Sequence, residues 1–188
     1  MPEENVGVVR IPLLPWEGAR RTLDQRVSLR FPRLAAATVR RVAAQPPGSR
    51  LRTAVLVRAV RLSLAAYNRR DLDAVVIGWD PGFEYRPGEE WVRAGLAEAS
   101  YRGRDGYRRY VASTAEVWGG ENYLRPVELV DLGDRVVILA EGSMRGQASG
   151  VPLSQSFALV TTLRDGRPIS HQEYYDHEEA LAAVGLER

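Results

Sequence analysis

Three residues near the end of the chain, His171, Glu173 and Tyr175, have side chains that can do chemistry. They alternate in a segment that reads as a strand over residues 169–175, and alternate residues of a strand leave the sheet on the same side. The three side chains are therefore predicted to line one face. There a carboxylate or an imidazole can move protons, and a phenol can donate a hydrogen bond to a carbonyl oxygen that becomes an enolate.

Glu173 is the leading candidate for a general acid or base. In an apolar cavity the loss of hydration raises the pKa of a carboxyl group, which suits it to proton transfer near neutral pH. His171 can share or relay that proton. The alternative interpretation is structural: Glu173 is a half-exposed carboxylate paired with an arginine, His171 satisfies local structure, and Tyr175 packs in the core.

Glu141 and five aromatic residues are the candidates for ligand binding. Glu141 is predicted to share a strand face with Leu139 and Ser143. It could pair with Glu173 across a pocket, which would push one of the two pKa values upward, but a salt bridge to an arginine is the interpretation we favour. The candidate pocket walls, suited to a planar ligand, are Trp79, Tyr85, Trp91, Tyr107 and Tyr110. Aromatics at this spacing more often form a plain core, which is the alternative interpretation.

Composition excludes several kinds of site. The chain has no cysteine, so it has no disulfide, no thiolate metal site and no cysteine nucleophile. It has no lysine either, which excludes lysine Schiff-base chemistry. The two histidines, His171 and His177, are six residues apart, a spacing that suits neither a strand face nor a helical pair of ligands, so we predict no metal site. Scattered single glycines carry no phosphate-binding motif, and we expect no cofactor.

Positive charge is concentrated in the first third of the chain. The net charge is +2, yet residues 1–60 contain eleven arginines against four acids, and the remainder contains fifteen arginines against twenty acids. A basic segment can meet nucleic acid or an anionic surface. This one lacks a recognisable binding motif and has few aromatics to stack on bases. We expect it to fold back on the acidic part, and we expect no nucleic-acid partner.

Membrane and secretion signals are not apparent. No apolar run approaches the roughly 20 residues that span a bilayer. The first residues, Met1 to Glu4, lack the basic and apolar regions of a secretory signal. The simplest expectation is a cytoplasmic protein with no membrane partner.

The elements before the site are predicted to be helical. Residues 1–20 are expected to form an irregular arm, and residues 22–44 a helix interrupted at Phe31-Pro32. A stripe at helical spacing there consists of Leu23, Val27, Phe31, Leu34 and Thr38. The linker Pro46-Pro47-Gly48-Ser49 precedes a strong helix over residues 50–68, and Asp71 caps a short one.

The second half of the chain is predicted to form the sheet. After a short strand at 83–86 and a third helix ending near Trp118, strands are expected at 122–132, 135–146, 151–164 and 169–175. They are joined by short turns that contain glycine, which favours an antiparallel meander. Asp176 and Glu179 form a capping box that opens a last helix. Helices followed by a curved antiparallel sheet indicate the α+β class.

Three motifs resemble those of the nuclear transport factor 2-like superfamily, and within it the SnoaL-like polyketide cyclase and ketosteroid isomerase-related proteins. They are Tyr67-Asn-Arg-Arg-Asp-Leu-Asp-Ala74, Tyr101-Arg-Gly-Arg-Asp-Gly106, and Leu163-Arg-Asp-Gly-Arg167 with the ending from Tyr175-Asp176 to Gly185. The resemblance covers about residues 55–186. It implies a cone, in which a curved sheet wraps over three helices as in a cystatin-like α+β barrel, with a pocket for a small hydrophobic molecule. We accordingly divide the chain into an Arg-rich helical extension, 1–48, and a SnoaL-like domain, 49–188.

The resemblance also bears on mechanism. In SnoaL-like cyclases and the similar limonene epoxide hydrolases, an acidic residue occupies the last-strand position that Glu173 holds here. Ketosteroid isomerases carry their base on the first strand, which here falls near Tyr85 or Arg86, and their oxyanion acid would fall near Ala158. The Arg-x-Asp pair of epoxide hydrolases is also missing, since that strand supplies only Glu141. A single-carboxylate mechanism is what the resemblance leaves.

Two kinds of function follow. As an enzyme, the chain would bind a small apolar or polycyclic carbonyl compound and carry out a cofactor-free isomerisation, cyclisation or hydrolysis with Glu173. Alternatively, the cone is a non-catalytic ligand-binding or dimerisation module whose basic extension docks a partner. The superfamily commonly forms homodimers through the exposed sheet, and the resemblance implies the same here.

Overall fold

A curved, open sheet of seven strands dominates the computed structural model, which describes residues 8–14, 20–118, 122–145 and 152–186. The strand order is β1-β4-β5-β6-β7-β2-β3, and every neighbouring pair is antiparallel except β2 with β7. In chain order the strands are β1 (Val9–Pro12), β2 (Glu84–Arg86), β3 (Tyr101–Arg102), β4 (Asn122–Asp131), β5 (Arg135–Arg145), β6 (Pro152–Arg164) and β7 (Arg167–Tyr174).

Helices pack on both faces of this sheet. Those described are α1 (Leu23–Arg30), α2 (Pro32–Ala43), α3 (Arg50–Asn68), α4 (Leu72–Val75), α5 (Glu89–Arg93), α6 (Gly103–Trp118) and α7 (His177–Ala182). Helices α3, α4 and α6 lie in the concave side, and α7 covers part of the convex side. The predicted α+β class and cone are confirmed. Among the described residues, no helix is both long and apolar enough to cross a membrane.

The turns β4–β5 and β6–β7 of the meander contain residues that readily adopt the backbone conformation of a tight turn. Gly133 and Gly166 both have positive φ, as does Asp165, and glycine adopts this conformation without the steric cost of a Cβ atom. Strands predicted at 122–132, 135–146, 151–164 and 169–175 match the observed bounds within two residues, although residues 146 and 151 lie outside the described part. β-Branched and apolar residues fill β4 and β5 on both faces, because helices cover both sides of these strands.

The first strand corrects the expectation of an irregular arm over residues 1–20. Val9 to Pro12 pair with β4, Val9 lying opposite Asp131 and Pro12 opposite Glu128. Residues alternate between half-buried and exposed along β1, the pattern of an edge strand. Pro12 is tolerated because an edge strand needs only one row of backbone hydrogen bonds. The rest of the predicted arm, residues 1–7 and 15–19, lies outside the described residues.

Helices α1 and α2 confirm the predicted break, with Pro32 as the first residue of α2. The predicted stripe, however, faces outward: Leu23, Val27, Phe31 and Leu34 are exposed. The inward side of α1 is held instead by Gln25, whose amide nitrogen donates to the Leu62 carbonyl oxygen at 3.2 Å. Periodicity shows that a helix face is apolar, but it does not show which neighbour lies against that face.

A buried ion pair joins α3 to β4. The Arg52 guanidinium contacts both carboxylate oxygens of Asp131, at 2.7 and 2.8 Å. Arg52 also donates to the carbonyl oxygens of Ala43, at the end of α2, and Gly133, in the turn after β4. One buried side chain thus connects the extension, the long helix and the sheet, with its donors satisfied as a buried charge requires.

Candidate functional site

A cavity of about 370 Å³ lies between the concave face of the sheet and the helices. It is lined by all three predicted catalytic residues, His171, Glu173 and Tyr175, and by all five predicted aromatic walls: Trp79, Tyr85, Trp91, Tyr107 and Tyr110. The aromatics also pack on one another, Tyr85 lying 4.6 Å from Tyr110 and Trp79 lying 3.9 Å from Phe83 between ring centroids. The walls and the core are therefore the same residues.

Glu173 is buried in the cavity wall with an exposed fraction of 2%. Its Oε2 atom accepts hydrogen bonds from the hydroxyls of Tyr85, at 2.6 Å, and Tyr110, at 2.5 Å. The hydroxyl of Tyr175 lies near enough to the carboxylate to help lower its pKa. Within the described part of the chain no arginine pairs with Glu173, so the predicted alternative of an Arg-paired carboxylate does not apply there.

Three separate elements bring these phenols together. Glu173 lies on β7, and the parallel pairing of β2 with β7 sets Tyr85 opposite His171, two residues before the glutamate. Tyr110 comes from the middle of α6, and Tyr175 follows the end of β7. The parallel strand pair explains how a residue 88 positions earlier in the chain reaches the carboxylate.

Burial and hydrogen bonding act in opposite directions on Glu173. Loss of hydration raises its pKa above the ordinary value, while the hydrogen bonds from Tyr110, Tyr175 and Tyr85 lower it, and the net shift is upward. Burial, with the neighbouring carboxylate adding to it, raises the pKa of Tyr85 and Tyr110 well above that of a free phenol. At neutral pH these tyrosines keep their protons and act as donors.

His171 is buried beside the glutamate but has a different character. Its Nδ1 atom lies 2.8 Å from the Thr161 hydroxyl oxygen, and the edges of its ring pack against Trp79 and Phe83 at centroid distances of 4.9 and 4.8 Å. Burial lowers the pKa of His171 to about 3. The imidazole is therefore neutral at neutral pH, where it can hydrogen-bond a ligand but carries no acidic proton to relay.

Tyr175 is held by close packing at the edge of the cavity. Its ring stacks on Trp91 of α5 at 6.0 Å between centroids. The residue before α5 is Gly88, and a Cβ atom there would lie 2.6 Å from the Tyr175 ring. The absence of a side chain at Gly88 lets the phenol lie against the backbone and reach the carboxylate.

Glu141 is not in the cavity. It is exposed and pairs with Arg125, the residue opposite it on β4, at 2.5 Å. Its strand neighbour Leu139 packs against α7 on the convex side, whereas the cavity is lined by Val136, Ile138 and Met144 of the alternate face. The strand pattern placed Glu141 and Leu139 correctly on one face, but it did not show that this face is the convex one.

Sequence reasoning missed Tyr67 and Asn122, which also line the cavity. The Tyr67 hydroxyl accepts a hydrogen bond from the Asn122 side-chain nitrogen at 3.0 Å, and the Arg70 guanidinium lies 5.3 Å from the centre of the Tyr67 ring. Asn122 Oδ1 is buried and has no hydrogen-bond partner among the described residues. Tyr67 lies seven residues, about two turns, after the buried Val60, so its helical position was the signal available.

The structure holds no evident metal centre in the part it describes. No group of three or more His, Asp or Glu side chains there has a geometry that could hold a metal ion. Around Glu173 the cavity offers a desolvated carboxylate, protonated phenols and a neutral imidazole, and its wider lining adds the amides of Gln25 and Asn122 and the charged side chains of Asp24, Arg104 and Arg167.

Comparison with known proteins gives one family match and many similar folds. The family described as SnoaL-like domain matches residues 60–171. A crystal structure of TerC co-crystallised with polyporic acid is 26% identical, with a TM-score of 0.57, covering 69% of this chain and 95% of TerC. No curated protein matches the chain.

Two further structures share the fold. An NTF2-like protein of unknown function from Burkholderia pseudomallei K96243 is 22% identical, with a TM-score of 0.57, covering 69% of this chain and 96% of its own. A putative SnoaL-like polyketide cyclase from Jannaschia sp. CCS1 is 18% identical, with a TM-score of 0.52, covering 69% of this chain and 88% of its own. At these identities the likeness concerns the fold.

Proposed function

This chain belongs to the SnoaL-like domain family, and we propose that it binds a small apolar ligand bearing a carbonyl group and moves a proton on it through Glu173 without a cofactor. The observation that carries the proposal is the environment of that carboxylate. It is buried in a largely aromatic cavity, has no arginine partner among the described residues, and is surrounded by phenol donors. Such a group is raised in pKa toward the range in which general acid/base catalysis is most effective.

In the proposed proton transfer, the phenols around Glu173 stabilise the charge that develops on the ligand. The Glu173 carboxylate takes a proton from the carbon beside the ligand carbonyl; the C–H electron pair becomes the C=C bond of an enolate, and the carbonyl π pair moves to oxygen. As the carboxylate is protonated it becomes a weaker acceptor, so the phenols of Tyr85, Tyr110 and Tyr175 are freed to donate to the enolate oxygen. Delivery of the proton from Glu173 to another carbon of a conjugated enolate completes an isomerisation, whereas exchange of the carboxyl proton with D₂O, followed by delivery of the deuteron to the original carbon, completes a hydrogen exchange.

Neutral His171 and Asn122 have positioning roles in this proposal. Both line the same cavity as Glu173, and neither is charged at neutral pH, so they can hydrogen-bond a neutral ligand without attracting ions. The co-crystallisation of TerC with polyporic acid supports a small organic ligand for this chain too. We extend the proposal to a planar or polycyclic ligand, because eight Phe, Trp and Tyr side chains line the cavity.

Three expectations from the sequence belong to the same proposal. The extension, residues 1–48, is a separate addition to a SnoaL-like domain, 49–188. Two copies pair through the exposed face of the sheet, a homodimer that size-exclusion chromatography with light scattering tests directly. The location is cytoplasmic.

Deuterium exchange tests the catalytic step. We would incubate the protein with 2-acetylnaphthalene in D₂O and follow loss of the methyl proton signal by NMR. We expect acceleration by the wild type and a loss of about 100-fold or more in Glu173→Gln, the range typical of a removed general base. Glu141→Gln is the matched control, since Glu141 is exposed and outside the cavity, and it should retain full activity.

The alternative function is a non-catalytic ligand-binding or dimerisation module with the basic extension docking a partner. The specific observation that favours it is that two phenols already donate hydrogen bonds to the carboxylate, as they would in a purely structural network. If 2-acetylnaphthalene binds and no exchange above the uncatalysed rate is seen, the catalytic proposal fails and the binding module stands.

A further inference from the structure

We propose that helices α1 and α2 of the extension complete the ligand site and form a second, apolar compartment that takes a hydrocarbon tail. The ligand class is then an amphipathic ketone, with its ring system at the aromatic end of the cavity and an alkyl chain running beneath the two helices. The inference rests on the proposed function only for the position of the ring beside Glu173. The tail compartment itself is argued from its walls.

The cavity continues from the tyrosine-lined end to the N-terminal helices. Four surfaces form this far end, which we call the tail compartment: α1, α2, the middle of α3, and the strand end and turn between β6 and β7. Its lining side chains are Gln25, Ser28, Pro32, Ala35, Ala36, Val39, Leu56, Ala59, Val60, Ser63, Leu163 and Gly166. Most of these residues are small or aliphatic, so the tail compartment is mainly apolar and its small side chains leave room for a ligand.

Two polar side chains of α1 at the tail compartment, those of Asp24 and Gln25, already have hydrogen-bond partners. The Gln25 amide donates to the Leu62 carbonyl oxygen and accepts from Arg69 at 3.0 Å and from the Thr22 backbone nitrogen at 3.1 Å. Asp24 accepts from Arg58 at 2.6 Å and from the Thr22 hydroxyl. These two polar side chains are therefore engaged within the protein, and the other lining side chains are mostly hydrocarbon, which suits an alkyl chain.

Specific contacts hold the two helices over the cavity. Just before α1, the Arg21 guanidinium donates hydrogen bonds to both carboxylate oxygens of Asp71, at 2.7 and 2.6 Å. This hydrogen bonding lowers the pKa of Asp71 to about 2. At the end of α2, the Ala43 carbonyl oxygen accepts from the buried Arg52 at 2.8 Å. Gly166 lies so close beneath α2 that an added Cβ atom would be 2.3 Å from that of Ala43. The wall is therefore fixed at both ends.

The compartment is an addition to the part that defines the family. The family match begins at residue 60, after both helices have ended. The alignments with TerC and with the Burkholderia protein include 95% and 96% of those proteins but only 69% of this chain. A site built from the matched residues alone would lack the wall formed by α1 and α2. The extension therefore sets how long the alkyl chain of a ligand can be.

Binding of a homologous series of 2-naphthyl alkyl ketones, from methyl to nonyl, tests the inference by isothermal titration calorimetry. In the wild type each added methylene should tighten binding about fourfold until the compartment is filled. Ala36→Trp fills the compartment from α2 and should reduce the gain to less than about twofold per methylene while leaving the methyl ketone nearly unaffected. Ala37→Trp, one residue further on the exposed side of the same helix, should behave as the wild type.

A second measurement does not depend on any variant folding. A nonyl ketone carrying a diazirine at the end of its tail is photolysed with the wild-type protein, and the labelled peptides are identified by mass spectrometry. Label within residues 23–43 is expected, and label confined to residues outside the tail compartment would overturn the inference. Failure of any ketone to bind, no gain with chain length, or the same gain in Ala36→Trp would also overturn it.

The two proposals fail in different ways. Exchange of deuterium depends on Glu173, and the chain-length gain depends on α1 and α2. Ketones that bind with the expected gain but do not exchange their protons would refute the catalytic step and leave the tail compartment intact. If proton exchange and affinity are the same for ketones of every alkyl chain length, the tail compartment is refuted and the catalytic step is supported.

Discussion

The buried neutral imidazole of His171 should make the protein sensitive to mild acid. Its pKa is about 3 in the folded protein against an ordinary 6.5, so the unfolded chain binds the extra proton throughout that interval. The stabilisation is complete above pH 6.5 and is lost as the pH falls from 6.5 towards 3. Between pH 7 and pH 4.5 this shift corresponds to a loss of about 2.5 kcal/mol in the free energy of unfolding.

Glu173 has the opposite effect on the pH dependence of the free energy of unfolding over part of the same pH range. Because its pKa is raised by burial, the folded state holds that proton more tightly, and stability contributed by this group falls as the pH rises above the ordinary value for a glutamate. A single acid titration of the wild type would therefore mix the two effects. A variant that lacks only the imidazole separates them.

His171→Asn is the variant of choice, since the asparagine amide can take the place of Nδ1 beside the Thr161 hydroxyl. Urea unfolding followed by tryptophan fluorescence at pH 7 and pH 4.5 gives the loss for each protein. The wild type should lose about 2.5 kcal/mol more than His171→Asn, and His177→Asn, which retains the buried imidazole, should lose as much as the wild type. Equal losses in the wild type and His171→Asn would show that the buried imidazole does not cause the acid sensitivity.

Three further predictions concern the extension and the carboxylate. Arg52→Met should lower the free energy of unfolding by about 3–5 kcal/mol, because it leaves Asp131 buried and unpaired; the double variant with Asp131→Leu should recover most of this in urea titrations, and no recovery would contradict the ion-pair argument. Gly166→Ala should cost about 1–3 kcal/mol by pushing α2 away, more than Gly185→Ala, which has the same positive φ but open space. Tyr110→Phe removes one hydrogen bond that lowers the pKa of the buried glutamate, so the acid limb of the deuterium-exchange rate should move to higher pH, and an unmoved limb would mean that this phenol does not tune the carboxylate.

Local signals predicted much of the fold. The turns at Gly133 and Asp165-Gly166, the cap at Asp176 and the break at Pro32 each depend on a residue whose backbone preference is strong, and each was found where predicted. Strand alternation likewise put His171 and Glu173 on one buried face. These are properties of a few neighbouring residues, which a sequence displays directly.

What failed depended on contacts between distant segments. Nothing near Glu141 shows that α7, which comes some forty residues later, covers its side of β5. The exposed stripe at Leu23 and Val27 looks like a core face, but the inward contact is made by polar Gln25. Tyr85 reaches Glu173 only because β2 runs parallel to β7, a long-range pairing that periodicity cannot reveal. The composition of the site was predictable, and its assembly was not.

The pairing of β1 with β4 has a consequence for the order in which the molecule is made. Val9 lies opposite Asp131, roughly 120 residues further along the chain, and contacts of such sequence separation form late in folding. During synthesis β1, α1 and α2 emerge before β4 to β7, the strands against which they pack. We expect them to dock after the sheet has formed, so that the α1 and α2 wall of the cavity is the last to be built although it is made first.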